Sequence, residues 1–224
     1  TCALPICDGR LYGRGSQDMK GGVAAMIGAA RMIAEGGGLA SGRLIVAAVV
    51  DEEHASIGAD ALVADWRADA AVVTEPTDLN VAVAHKGFQW IDVETRGRAA
   101  HGSRPGEGRD AILRMGRVLK ELEKLDRRLQ ARPPHPLLGT GSLHASLIGG
   151  GRELSSYPDR CALTFERRTL PGESPRVGVV EVGEILEELR RQDAEFDASA
   201  AASFGRAAYE IEASAALPGA LLEA

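Results

Sequence analysis

The chain has 224 residues, of which 45% are hydrophobic and 26% charged, and its formal net charge at pH 7 is −6. This composition predicts a folded globular protein, and the acidic balance argues against a nucleic-acid-binding protein, which normally carries a basic face. No apolar run approaches the roughly 18–20 residues needed to cross a bilayer. Three cysteines without CxxC spacing favour a cytoplasmic protein over a disulfide scaffold.

The first part of the chain alternates between helical and strand-like patterns. Apolar residues at helical spacing predict a helix that begins near Asp18 and ends at glycines 36–38. Three short apolar runs follow, at 43–50, 70–73 and 81–84, with a helical stretch around 56–66. Such runs are typical of strands that are covered on both faces, so this part is predicted to be an α/β domain with a parallel sheet.

The pattern changes near residue 87. The predicted elements are then, in order, a strand over 88–97, a helix over 109–130, strands over 143–148 and 160–167, a helix over 175–191 and a strand near 195–203. The order β-α-β-β-α-β is that of a ferredoxin-like α+β module. We therefore expect a first domain over residues 1–87, the module over 88–205, and a return to the first domain over 206–224.

Acidic residues occupy three places in the predicted α/β domain. Asp51, Glu52 and Glu53 directly follow the first apolar run, and Glu75 follows the second. Asp18 lies in the turn that opens the first helix. Because sites in open α/β sheets form at the carboxyl ends of strands, these acids can converge on one pocket and bind a divalent cation. The alternative is that they are solvated acids in separate loops.

The turn around Asp18 reads "GRGSQDMKGG", over residues 13–22. Its glycines and charges allow a phosphate-binding loop, a simple helix start, or a mount for a metal-binding carboxylate. The chain lacks the G-x-x-x-x-G-K-[ST] pattern, so the phosphate loop is disfavoured.

Five stretches resemble, in order, motifs of the M20 family of metallopeptidases and deacylases. They are "LYGRGSQDMKGG", "VVDEEHASIGA", "TEPTDL", "TRGRAAHGSRPGEGRDAI" and "SSYPDRCALTFERRTLPGE". The family includes acetylornithine deacetylase, succinyl-diaminopimelate desuccinylase, and carboxypeptidase and aminoacylase relatives. The resemblance extends from about Asp8 to Ser203. It implies a zinc-peptidase-like α/β catalytic domain with an inserted ferredoxin-like lid that also forms the dimer.

The resemblance implies a site with two divalent metal ions, zinc first, with cobalt or manganese as alternatives. Asp18 would bridge both ions, Glu53 would bind one of them and Glu75 the other. The peptide bond between Asp18 and Met19 would be cis, as it is at this position of the family.

Three further residues receive roles from the resemblance. Glu52 would be the general base that accepts a proton from the attacking water. His101 would reach the active site of the partner subunit and stabilise the oxyanion, and Arg168 would lie near the carboxylate of the substrate.

The implied function is an amidohydrolase that removes the acyl group from an N-acyl amino acid, with a small acyl-amino acid or short peptide as substrate. A dipeptidase or a glutamate carboxypeptidase of the same family is the first alternative. A truncated, inactive chain that acts only as a dimerising module is the second. The implied partner is a second copy of the chain, bound through the lid, and no nucleic acid or membrane is expected.

Two departures from the family pattern bear on the metal site. The family's His-x-Asp motif precedes the glycine-rich turn, and its last histidine ligand follows the lid, but neither is found here. We therefore expect an incomplete metal shell, as in a piece of a longer protein. The family also often carries Asn within GGxxxNxxP, where this chain has Ser155.

Overall fold

The computed structural model describes residues 6–223. The chain divides into two compact units, the first being Thr1–Ala82 with Ser214–Ala224 and the second Val83–Ala213. In chain order the elements are β1 (Ile6–Cys7), β2 (Arg10–Leu11), α1 (Lys20–Glu35), α2 (Ile57–Asp65), β3 (Ala84–His85), β4 (Gly87–Arg96), α3 (Ala111–Gln130), β5 (Ser142–Gly150), β6 (Arg160–Thr169), α4 (Val177–Gln192), β7 (Asp197–Arg206), β8 (Tyr209–Glu210) and α5 (Ala216–Glu223). None of the helices within residues 6–223 is long and apolar enough to cross a membrane.

The second unit contains a four-stranded antiparallel sheet with the order β5-β6-β4-β7. The central strands β4 and β6 pair along their whole length, from Gly87 opposite Thr169 to Arg96 opposite Arg160. From β4 to β7 the elements follow the β-α-β-β-α-β order that the sequence predicts. The short strands β3 and β8 pair with each other as a separate ladder.

One face of this sheet packs against α3 and α4 and forms the core. The buried side chains alternate along the strands, as at Ile91 and Val93, and recur at helical spacing in α3, as at Met115, Val118 and Leu122. Helix α3 begins at a capped end, because the Asp110 carboxylate accepts a hydrogen bond from the Leu113 N–H at 2.9 Å. Such a cap stabilises a helix by about 1 kcal/mol.

Alternation along β6 separates two neighbouring arginines. Arg167 is fully buried and forms ion pairs with Glu173 and Glu181, both at 3.0 Å. These pairs join β6 to α4 and to the loop before it. Because successive side chains of a strand point to opposite faces, Arg168 lies on the face of the sheet that the helices leave open.

The first unit differs from the prediction. The runs 43–50 and 70–73 are not strands, and of the run 81–84 only Ala84 belongs to a ladder, the antiparallel pair β3–β8. The prediction of a parallel sheet is therefore wrong for the described residues. A strand forms only where another strand accepts and donates its backbone hydrogen bonds, and the described part of this unit contains only the two-residue strands β1 and β2.

Apolar side chains of these unpaired segments are correspondingly exposed, among them Val50 at 67% and Val73 at 72%. The two predicted helices of this unit are present as α1 and α2, although neither buries a residue.

Candidate functional site

Four carboxylates of the first unit come near one another. Burial, followed by the charge of Asp18 and a hydrogen bond with Asp18, raises the pKa of Glu75. The charges of Glu52 and Glu53 raise this pKa further. Three separate segments therefore bring their acidic residues close enough for their charges to act on Glu75, as the sequence predicts.

Asp18 is held by a tight turn that leads into α1. The Ser16 N–H donates to the Gly13 carbonyl at 3.1 Å, and the Lys20 N–H donates to the Gly15 carbonyl at 2.9 Å. The Asp18–Met19 peptide bond is cis, as the resemblance implies. The turn and the helix start are thus a single feature that presents the Asp18 carboxylate.

Glu52 and Glu53 lie in a second turn, which Asp51 organises. Asp51 has a φ of 61°, a left-handed conformation that Asp tolerates better than most residues. Its carbonyl accepts from the Ser56 N–H at 2.6 Å and its carboxylate from the Ala55 N–H at 3.3 Å. Asp51 therefore shapes this turn, whereas both glutamates are exposed.

A close approach between Gly22 and Thr74 brings Glu75 to the start of α1. A Cβ atom added to Gly22 would lie 2.3 Å from the Thr74 carbonyl oxygen and 2.7 Å from its Oγ1. Thr74 Oγ1 is also the single buried side-chain polar atom without a hydrogen-bond partner in the described part of the chain. The sequence patterns did not predict this contact. Its one signal in the sequence is the second glycine of the Gly21-Gly22 pair, because glycine allows another backbone to approach closely.

The side chains of this cluster are of a type that binds divalent cations, but they do not complete a coordination shell. Carboxylate oxygens are suitable ligands, and a cation would relieve the repulsion among four neighbouring acids. However, no group of three or more His, Cys, Asp or Glu side chains within residues 6–223 is arranged to hold a metal ion. Asp18, Glu53 and Glu75 therefore supply at most part of a metal shell.

The other two predicted residues, His101 and Arg168, belong to the second unit. His101 lies in a loop over 98–109, which is closed by hydrogen bonds between Arg98 and Arg109. It also pairs with Ser156, four residues before β6 begins, whereas Arg168 lies near the other end of β6. At roughly 3.3 Å per residue this strand separates the two by about 25 Å, so they do not form one site within the unit.

Arg168 lies beside aromatic rings on the open face of the sheet. Its guanidinium is 5.7 Å from the ring centre of Phe88 and 3.4 Å from the Glu166 carboxylate. Glu166 also accepts a hydrogen bond from the Trp90 indole at 2.9 Å. Arg168 remains about one third exposed, so a ligand carboxylate can reach it.

The loop that carries His101 rests on residues 152–159. The Gly102 N–H donates to the Ser155 carbonyl at 2.7 Å, and the Tyr157 N–H donates to the Ala100 carbonyl at 2.9 Å. A cavity of about 240 Å³ lies alongside, lined by Ala99 and by residues 152–153 and 156–159. Ser155 stands at the position where the family often carries Asn. In this chain its backbone carbonyl contacts the loop.

Comparison with known proteins identifies the family. The model of peptidase family M20/M25/M40 matches residues 3–220. An acetylornithine deacetylase of Myxococcus xanthus is 34% identical over 194 residues, which are 83% of this chain and 48% of that protein. A probable succinyl-diaminopimelate desuccinylase of Staphylococcus epidermidis is 30% identical over 189 residues, 73% of this chain and 47% of its own length.

A third relative and one solved structure extend the comparison. An N-formyl-4-amino-5-aminomethyl-2-methylpyrimidine deformylase of Bacillus subtilis is 27% identical over 83% of this chain and 46% of its own length. The crystal structure of aminopeptidase PepT from Bacillus cereus aligns with a TM-score of 0.61 over 95% of this chain and 56% of its own, at 17% identity, which shows similarity of fold. The chain spans about half the length of the curated relatives it matches. The chain is a member of peptidase family M20/M25/M40.

Proposed function

We propose that the chain is part of a metal-dependent hydrolase that removes the acyl group from an N-acyl amino acid. The convergence of Asp18, Glu52, Glu53 and Glu75 on one place in the first unit carries this proposal. The names of the relatives agree with it, because a deacetylase, a desuccinylase and a deformylase each release an acyl group from an amine. Residues 1–87 and 206–224 are assigned to the catalytic domain, and residues 88–205 to a ferredoxin-like lid.

Asp18, Glu53 and Glu75 are proposed to hold two divalent metal ions, with Asp18 between them and zinc as the first candidate. When bound, such ions polarise the attacking water and the carbonyl of the substrate. Cobalt and manganese are the alternative ions, because oxygen-rich sites accept several divalent metals.

Glu52 is proposed to be the general base. Its charge acts on Glu75 in the cluster, and its side chain is exposed in the turn after residue 51, where a substrate can reach it. In hydrolysis of an amide, it accepts a proton from the attacking water and passes that proton to the nitrogen of the leaving amine.

Arg168 and His101 are proposed to bind the substrate from the lid. The partly exposed guanidinium of Arg168 suits the carboxylate of an amino acid product. His101 is proposed to donate a hydrogen bond to the oxyanion in the active site of a second copy. Their distance from each other along β6 favours this arrangement, in which one lid serves two active sites.

The proposed partner is therefore a second copy of the chain, bound through β5 and α3. Within residues 6–223, strand β5 is an edge of the sheet with backbone groups left unpaired on one side, and its Leu147 and Ile148 are 70% and 58% exposed. Leu113 on the adjoining helix α3 is also 70% exposed. Such an apolar edge fits pairing with an identical edge. The cysteine content and the composition agree with a cytoplasmic location.

The test is hydrolysis of a panel of N-acyl amino acids and dipeptides by the full-length protein after reconstitution with zinc. We expect N-acyl amino acids to be hydrolysed, and Glu52→Gln to lower kcat by about 100- to 10,000-fold. Glu187→Gln, at an exposed position on α4, is the matched control and should leave the rate unchanged. Full activity of Glu52→Gln would exclude Glu52 as the base.

The same panel separates the two alternatives. Preferential cleavage of dipeptides or of C-terminal glutamate would favour the peptidases. A chain that forms dimers but neither binds zinc nor hydrolyses any member of the panel would be the dimerising module.

A further inference from the structure

One nitrogen of the His101 imidazole makes two hydrogen-bond contacts with Ser103. The backbone N–H of Ser103 donates to His101 Nδ1 at 3.2 Å, and the Ser103 hydroxyl lies 2.8 Å from the same nitrogen. Within residues 6–223, no hydrogen-bond partner contacts the other ring nitrogen, Nε2. Nδ1 is therefore hydrogen-bonded to the loop that carries the ring, whereas Nε2 faces away from that loop.

The backbone N–H determines which nitrogen of His101 carries the proton. An amide N–H can only donate, so Nδ1 must offer its lone pair. A neutral imidazole has one protonated and one unprotonated nitrogen, and the hydrogen bond at one nitrogen decides the state of the other. With Nδ1 as the acceptor, the proton lies on Nε2, and the Ser103 hydroxyl acts as a second donor to Nδ1.

The loop holds this arrangement in place from both sides. The Arg104 N–H donates to the His101 carbonyl at 2.8 Å, which closes a turn with Ser103 inside it. The Gly102 N–H is bound to the Ser155 carbonyl at 2.7 Å, so the turn is joined to the neighbouring segment. Rotation of the ring would break its bonds to Ser103 while the backbone stayed fixed.

We propose that Ser103 is a positioning residue, which fixes His101 as the Nε2–H tautomer and aims that N–H away from the loop. His101 is thereby a hydrogen-bond donor, suited to a carbonyl oxygen that gains negative charge, and not a proton acceptor at its outward nitrogen. The proposal rests on the proposed function for the identity of that oxygen. The tautomer and its dependence on Ser103 are properties of the chain alone.

The test is ¹⁵N NMR of the ring nitrogens of the five histidines, at a pH at which the imidazoles are neutral, with His101→Ala to assign the signals. In the unaltered chain we expect His101 Nε2 to be protonated and Nδ1 to be unprotonated. Ser103→Ala removes the hydroxyl but keeps the backbone N–H, so Nε2 should stay protonated while the Nδ1 signal moves, because Nδ1 loses one of its two hydrogen-bond donors. Ser103→Thr keeps a hydroxyl and should restore the original shifts.

Ser156→Ala is the matched control, because the Ser156 hydroxyl contacts Glu153 and not the ring. It should leave the His101 signals unchanged. A proton on Nδ1 in the unaltered chain, or signals of His101 that do not respond to Ser103→Ala, would overturn the proposal.

Kinetics of the zinc-loaded protein provide a second readout. Ser103→Ala should lower kcat by about 3- to 10-fold, the worth of one ordinary hydrogen bond, with a smaller change in KM, and Ser103→Thr should recover most of the loss. An equal loss with Ser156→Ala would contradict a specific role of Ser103. If the unaltered protein hydrolyses no amide, the proposed function fails, and the NMR result still decides the proposal about Ser103.

Discussion

Gly22 in the first turn of α1 lies against the backbone of Thr74, so closely that a Cβ atom would meet the Thr74 carbonyl oxygen at 2.3 Å. Real side chains do not approach a backbone oxygen at that distance. Because Asp18 precedes this turn and Glu75 follows Thr74, the contact between a glycine and a backbone carbonyl sets the spacing of two proposed metal ligands.

Gly22→Ala is expected to separate α1 from residue 74 and to weaken zinc binding by about 10- to 100-fold, the usual effect of displacing a residue that supports a metal ligand. Isothermal titration of the chain with zinc measures this loss. Gly28→Ala is the control in the same helix, because a Cβ atom there meets nothing within 4 Å. Equal zinc affinity in the two variants would show that the Gly22 contact does not set the ligand spacing.

Replacement of Arg167 should destabilise the second unit. Arg167→Met leaves Glu173 and Glu181 without their buried partner, and we expect a loss of about 3 kcal/mol in the free energy of unfolding by urea. Arg127→Met breaks an exposed pair with Glu123 and should cost less than about 1 kcal/mol. Similar losses in the two variants would mean that the Arg167 cluster adds no stability beyond that of a surface pair.

The free energy of unfolding should fall in acid, because two carboxylates that follow α4 lose their charge. A hydrogen bond from Arg117 lowers the pKa of Asp193, and a hydrogen bond from Arg109 lowers the pKa of Glu195. A lowered pKa in the folded state means that the charged carboxylates stabilise the fold above their unfolded pKa, and that this contribution is lost as the pH falls through the folded pKa.

Urea midpoints between about pH 7 and about pH 2 test this relation. The double variant Asp193→Asn, Glu195→Gln should be less stable than the unaltered chain at neutral pH, and the difference should disappear at the acidic end. A difference that is independent of pH would assign the effect to packing rather than charge.

The proposed pairing of copies through β5 predicts a monomer when that edge is charged. Leu147→Glu places like charges at the interface between identical edges, so the mass measured by light scattering should fall from that of a dimer to that of a monomer. Val180→Glu alters a similarly exposed residue on α4 and should leave the dimer intact. A monomeric unaltered chain, or a dimer that persists in Leu147→Glu, would contradict the proposed interface.

The two units show where prediction from sequence succeeds and where it fails. In the second unit, alternation along β4 and helical spacing in α3 predict elements that pack into one core, since each pattern finds its partner within the same stretch of chain. In the first unit, the runs 43–50 and 70–73 have the composition of buried strands but no partner strand among the described residues. The composition of a segment indicates that it can form a strand, whereas a sheet also requires a neighbouring strand with which to share backbone hydrogen bonds.

For the candidate site as well, some features follow from the sequence and others only from the tertiary structure. The order of the motifs by itself determined the family and predicts the six proposed site residues, because residue types at given spacings are local properties. Only the tertiary structure decided that Glu75 meets Asp18 through the Gly22 contact, and that Ser103 holds His101 by its Nδ1. Those relations depend on distances between atoms that the folded backbone alone brings together.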